Sequence, residues 1–166
     1  MTESFTGVLT HLTTPGAPTR TKIEDMAPRS VPASTPPLFV DTSAWFDLVF
    51  AGSPCHQVIA DVVRAPGARF VTSTYVLAEL TALLLVRANH ALAARAVTCL
   101  RAAPEVQVVH PDEGEELRAW ALFLQRPDKS YTLTDCLSFV IMRRLALTTA
   151  LATDDHFRQE GFLVVP

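Results

Sequence analysis

A chain of 166 residues, 49% of them apolar, holds enough hydrophobic material for one substantial core and fits a single domain. No apolar stretch reaches the ~18 uninterrupted residues of a membrane span, and the start MTESFTGVLTHLTTPG lacks the basic segment and apolar run of a secretory signal, so a cytoplasmic protein is expected. The net charge of −3 argues against a broad electrostatic grip on nucleic acid, though not against a nuclease whose carboxylates carry metal ions.

In chain order, residues 1–37 come first and stand apart from the rest. They hold half of the twelve prolines, many Thr and Ser, and no sustained period, and they read as a disordered or loosely attached extension. Met26 within them is an alternative start to Met1. A folded domain is expected over 38–166. Leu38–Val40 is a short apolar strand ending at Asp41, and helical stretches follow at about 43–50 and 55–65. Arg69–Thr72 is a second strand, with Ser73 as N-cap of a helix running through Arg87. A helix at about 90–102 precedes a third strand, Val106–Val109. Helices at about 112–125 and 132–146 lead to strands Thr148–Ala152 and Phe162–Val165. Strands separated by helices predict an α/β fold, a three-layer α/β/α sandwich on a parallel sheet of about five strands. Ligand sites in such sheets lie beyond the carboxyl ends of the strands, which is where Asp41 and Asp154 fall.

Four acids draw attention. Asp41, in LFVDTSAW, suits a helix N-cap and equally a cleft. Glu79, in VTSTYVLAEL, sits among apolar helical neighbours with its nearest helical cation, Arg87, two turns away; such a carboxylate is expensive to desolvate without a partner. Asp135, in LTDCLSFVIMRRL, completes a capping-box pattern with Thr132, yet shares a helix face with Ser138, Phe139 and Met142. Asp154 and Asp155 form a pair in ALATDDHFRQEGF, where a solvated turn is the plain reading, and the adjacent His156 reads as a surface or hinge residue. Carboxylates gathered at one cleft repel one another, and a hard divalent cation relieves that repulsion. Three dispersed cysteines, no CxxC and no paired-histidine spacing leave nothing to select zinc, so Mg²⁺ or Mn²⁺ is the expected metal.

In these four segments the sequence resembles the PIN-domain nucleases, particularly the VapC-type toxins of bacterial toxin–antitoxin pairs. The resemblance covers roughly residues 38–162, and its most specific part is LTDCxSF followed by D-x-HF-x-x-x-GF. It implies catalytic and metal-binding roles for Asp41, Glu79, Asp135 and Asp154, the last preferred over Asp155 by its register to Phe157. Thr42 or Ser43 would support the first acid. Two departures stand out: Ala152 occupies a position where the family often carries Thr or Ser, and the Pro-rich extension is foreign to the compact toxins.

The function so implied is endonucleolytic hydrolysis of single-stranded RNA, with one or two bound ions, a 5′-phosphate product and a 3′-hydroxyl. Lys129, Arg126, Arg143, Arg144 and Arg158 flank the acidic segments as candidate phosphate contacts or ordinary surface charges. A homodimer using the helices at 75–87 and 90–102, and a cognate antitoxin, are the expected partners. The alternative is a PIN-fold interaction protein with weak or no nuclease activity. A haloacid-dehalogenase-type phosphatase fails on Ser43, which stands where a second Asp is required, and a receiver domain fails on the late position of the acidic pair and the absence of a lysine after Lys129.

Overall fold

The computed structural model describes residues 36–166, so all but the last two positions of the extension at 1–37 lie outside the described residues. Five strands are present: β1 (Leu38–Val40), β2 (Phe70–Ser73), β3 (Val106–Val109), β4 (Thr149–Leu151) and β5 (Leu163–Val165). Among the described residues seven helices connect them: α1 (Thr42–Val49), α2 (His56–Val63), α3 (Thr74–Arg87), α4 (His90–Ala102), α5 (Glu113–Gln125), α6 (Leu133–Arg144) and α7 (His156–Gln159). Every strand pair is parallel, in the order β3-β2-β1-β4-β5. The expected five-stranded α/β architecture is therefore the observed one.

The layers follow from chain direction. From β1 the sheet grows one way to β2 and β3, then the chain crosses back over β1 to add β4 and β5 on the other side. Right-handed crossovers then place α1–α4 on one face and α5–α7 on the other. Packing agrees: α1 lies against α2 and α3, and α3 against α4, while α5 packs on α6 and α6 on α7. A sheet covered on both faces needs apolar residues pointing both ways. In β1, Phe39 and Val40 are both fully buried. Phe39 meets Phe157 of α7 at 6.0 Å between ring centroids, and Phe157 meets Phe139 of α6 at 5.0 Å. On the opposite face Trp45 of α1 packs edge-on against Phe70 of β2 at 6.2 Å. The indole N–H of Trp45 donates to Thr72 Oγ1, which itself donates to the Val40 carbonyl, tying α1, β2 and β1 together in the core.

Two differences from expectation, one helix end and one added helix, have physical reasons. The helix expected to run to 146 closes at Arg144, because Ala146 is left-handed with φ 53°. Its N–H bonds the Arg143 carbonyl and the Leu147 N–H reaches the Met142 carbonyl, the paired bonds of a Schellman closure. The helix α7, where the sequence suggests only a turn, has four residues, too few to show a period. All three cysteines are free, and Cys136 is buried. Among the described residues no helix is long and apolar enough to cross a membrane.

Ala146 is exposed, so its Cβ makes no packing contribution to offset the left-handed strain. Ala146→Gly is expected to stabilise the protein by roughly 0.5–1 kcal/mol, the relief of strain exceeding the added freedom of the unfolded chain. A urea midpoint that rises with unchanged slope is the expected reading.

Candidate active site

The reversal of strand order puts a crevice at the carboxyl ends of β1 and β4, the switch point where open parallel sheets bind ligands. Asp41 directly follows β1, and Asp154 stands in the loop after β4. Glu79 is on the second turn of α3 and Asp135 in the first turn of α6.

Asp41 is 3% exposed and both caps α1 and faces the crevice. Its Oδ2 accepts from the Ser43 N–H at 3.0 Å and the Ser43 hydroxyl at 2.7 Å. That hydroxyl also accepts from the Thr153 N–H at 3.1 Å, so one serine ties the first acid to the β4 loop. Of the two hydroxyls expected to serve Asp41, Ser43 does so, and Thr42 instead donates to Glu79 Oε2 at 2.8 Å. Asp135 completes the capping box: its Oδ2 accepts from the Thr132 N–H at 2.7 Å, and Thr132 Oγ1 accepts from the Asp135 N–H at 3.0 Å. Asp154 Oδ1 accepts from the His156 N–H at 3.0 Å. Asp155 is exposed and turned to Arg158. Ala152 is buried, and the loop that bears it is held by Ser43.

Each of the four carboxylates thus has one oxygen held by the chain, and no described residue bonds the other. Burial pushes the Asp41 carboxyl up to about 7; the Ser43 bonds oppose this, and the negative charges of Asp154 and Asp135 add to it. Asp135 is raised as well, first by burial and further by Asp154, against the bonds from Thr132 and the pull of His156. An oxygen-only donor set with mutual repulsion suits a hard divalent cation. As the side chains stand, no three His, Cys, Asp or Glu among the described residues converge into a metal cage. Each acid keeps one oxygen without a bond from the described residues.

His156, expected as a surface or hinge residue, is instead part of the site. Its Nδ1 lies 3.1 Å from Asp135 Oδ2 and its Nε2 3.2 Å from the Ser130 hydroxyl, while its backbone N–H holds Asp154. The ring packs edge-on against Tyr131 at 5.4 Å. One residue therefore touches two of the four acids. The only signal in the sequence is its place in D-x-HF; the contact back to Asp135 spans 21 residues. The flanking cations are occupied: Arg126 and Arg143 share Glu160, Arg144 pairs with Glu115, Arg158 with Asp155, and Lys129 lies 4.0 Å from Asp128. Their reading as structural or ordinary surface charges fits these contacts.

Comparison with known proteins points the same way as the geometry. The PIN domain family model matches residues 38–163. The 23S rRNA-specific endonuclease VapC20 of Mycobacterium tuberculosis, in strains CDC 1551 / Oshkosh and ATCC 25618 / H37Rv, is 33% identical over 128 residues, covering 77% of this chain and 97% of the relative. The crystal structure of M. tuberculosis VapC20, described as a sarcin–ricin loop cleaving toxin, matches with a TM-score of 0.72 and 31% identity, over 76% of this chain and 96% of that one.

The raised Asp41 carboxyl has a measurable consequence. In the folded, metal-free protein it keeps its proton to about pH 7, whereas its ordinary value is 3.8, so folding takes up a proton between those limits and stability falls as pH rises through them. Asp41→Asn removes that dependence. Its unfolding free energy from urea titration in EDTA is expected to gain on the parent's from pH 4 to pH 8, to a ceiling of about 4 kcal/mol at ~1.4 kcal/mol per pKa unit. A difference between the two proteins that stays constant with pH would contradict this.

Proposed function

The chain belongs to the PIN-domain family, and from that premise we propose that it is a metal-dependent endoribonuclease that hydrolyses single-stranded RNA, the toxin of a bacterial toxin–antitoxin pair. The observation that carries this reading is the set of four carboxylates at the switch point, each held through one oxygen and open at the other. The activity named for the VapC20 relative supports RNA as the substrate.

Asp41, Glu79, Asp135 and Asp154 are the residues that would hold Mg²⁺ or Mn²⁺. Bound there, the cation would activate water and offset the negative charge that builds on the phosphoryl oxygens and the departing 3′-oxygen during in-line displacement, giving a 5′-phosphate and a 3′-hydroxyl. The rest of the work falls to the chain. Ser43 fixes the rotamer of Asp41, and Thr42 that of Glu79. The Thr132 N–H and the His156 ring orient Asp135, and the His156 N–H orients Asp154. Such outer contacts decide whether ligands meet a metal in the right geometry.

Residues 38–166 form the nuclease domain in this reading, with 1–37 an extension outside it. Work in the cytoplasm, a homodimer and a cognate antitoxin complete the proposal. Of the two helices expected to supply apolar surface for association, α3 exposes Leu85 and Val86, whereas α4 turns Ala93, Ala96 and Leu100 into the core; α5 exposes Leu117, Trp120 and Leu124 as further apolar surface. A role confined to interaction has less support, since association alone would not call for acids poised in this way.

Asp135→Asn keeps an accepting oxygen for the Thr132 N–H and removes the charge. It is expected to lower Mn²⁺-stimulated cleavage of a sarcin–ricin loop RNA by more than about 100-fold, the upper range for disturbing a mere outer contact, while the circular dichroism spectrum stays that of the parent. Undiminished cleavage would sink the assignment. Separately, calorimetric titration with Mn²⁺ in the absence of RNA should show binding to the parent and its loss in Glu79→Gln; a parent that binds no divalent ion would favour the interaction-only role.

A further inference from the structure

Beyond the acidic edge, α1 and α3 continue side by side. The 2.8 Å bond between Thr42 and Glu79 marks one level of the pair. Four residues on come Phe46 and Leu83, on the same helix faces, and four further on Arg87 and Phe50, the latter at the C-cap of α1 with its N–H bonded to the Phe46 carbonyl. These four side chains line one open cleft of about 500 Å³. At a rise of ~1.5 Å per residue its two levels lie about 6 and 12 Å along the helices from the Thr42–Glu79 bond. The cleft thus opens on the same helix pair that carries the Thr42–Glu79 bond, one and two turns further along.

Its walls have a distinct chemistry. The rings of Phe46 and Phe50 are stacked, with centroids 5.3 Å apart and planes 17° from parallel. Phe46 packs on the core, but Phe50 takes no part in that packing. A Cβ at Gly52 would stand 3.2 Å from Phe50 Cε1, so glycine leaves the ring its place. Arg87 is exposed and has no carboxylate partner among the described residues, unlike the arginines of α5–α7 that flank the acids.

We propose that this cleft binds an unpaired base of the RNA strand beside the phosphate to be cut, the base stacking on Phe50 and Arg87 meeting its backbone; the inference rests on the nuclease reading above. Single-stranded RNA is recognised by bases splayed onto aromatic rings and guanidinium planes, a mode that tolerates sequence variation. The volume lies within the range of small-ligand sites. The overall charge of −3 adds weight, because a chain without a basic surplus must hold RNA by local contacts. A helix from a protein partner could use the apolar walls, but the flat ring stack and a guanidinium with no carboxylate partner among the described residues favour a nucleotide.

The test reads binding rather than cleavage. A fluorescein-labelled stem–loop RNA carrying the sarcin–ricin loop sequence is titrated with the full chain in EDTA. Phe50→Ala and Arg87→Gln are each expected to weaken binding about tenfold, within the range for removing one stacked base, and Phe50→Trp to restore parental affinity. Thermal midpoints near that of the parent confirm that the variants fold, as the position of Phe50 outside the core packing predicts. Parental affinity in Phe50→Ala overturns the proposal, as does failure of the parent to bind this RNA. Unchanged affinity together with a shift from dimer to monomer in sedimentation also overturns it and gives the cleft to a second copy. Failure of the parent to cleave the same RNA with Mn²⁺ would strike the nuclease reading alone, since the EDTA titration is independent of it.

Discussion

A carboxylate is buried at the carboxyl end of the central strand, where the charges that act on it, those of Asp154 and Asp135, have its own sign. Much of the crevice can be understood as the chain's answer to that constraint. Buried charge demands donors, and helix starts have N–H groups to spare. Asp41 caps α1 and Asp135 sits in the first turn of α6, so both take donors from helix ends, whose dipoles also favour negative charge. The same donors leave one oxygen of each acid open, which is the arrangement a cation would exploit.

Holding the acids in place is a matter of packing remote from them. The loop bearing Asp154 and His156 is anchored by Phe157, which lies fully buried among Phe39, Phe139 and Phe162. Three residues further, Glu160 accepts from both Arg126 and Arg143, fastening the end of α7 to α5 and α6. Burial pushes the Glu160 carboxyl up, but the Arg143 bond and the two guanidinium charges outweigh it and leave it below its ordinary value. These two arginines thus serve the scaffold, pinning the end of α7 to its neighbours.

The strands and long helices are legible in the sequence because each is set by neighbours close along the chain. LFV before Asp41, the Ser73 cap and the Thr132–Asp135 box all declare themselves within a few residues. The division of labour between Thr42 and Ser43 is not, since it depends on Glu79 and Thr153, residues 37 and 110 positions away. His156 is hidden for the same reason. The occupied arginines are hidden too, because a charge in a sequence does not name its partner. Ala146 misleads at a helix end: alanine favours helix everywhere except in the left-handed closing position it occupies.

The double employment of the acids as caps bears on how this edge can be dissected by mutation. Asp41 caps the start of α1 and Asp135 completes the capping box that opens α6, so an alanine scan would read a folding loss and any loss of chemistry through the same number. Truncation would remove an acceptor that a backbone N–H requires, by itself about 1 kcal/mol for a lost cap. An amide of the same shape would keep that acceptor and change only the charge. For this chain the isosteric substitution is the controlled experiment, because alanine at either position removes a fold-holding bond together with the charge.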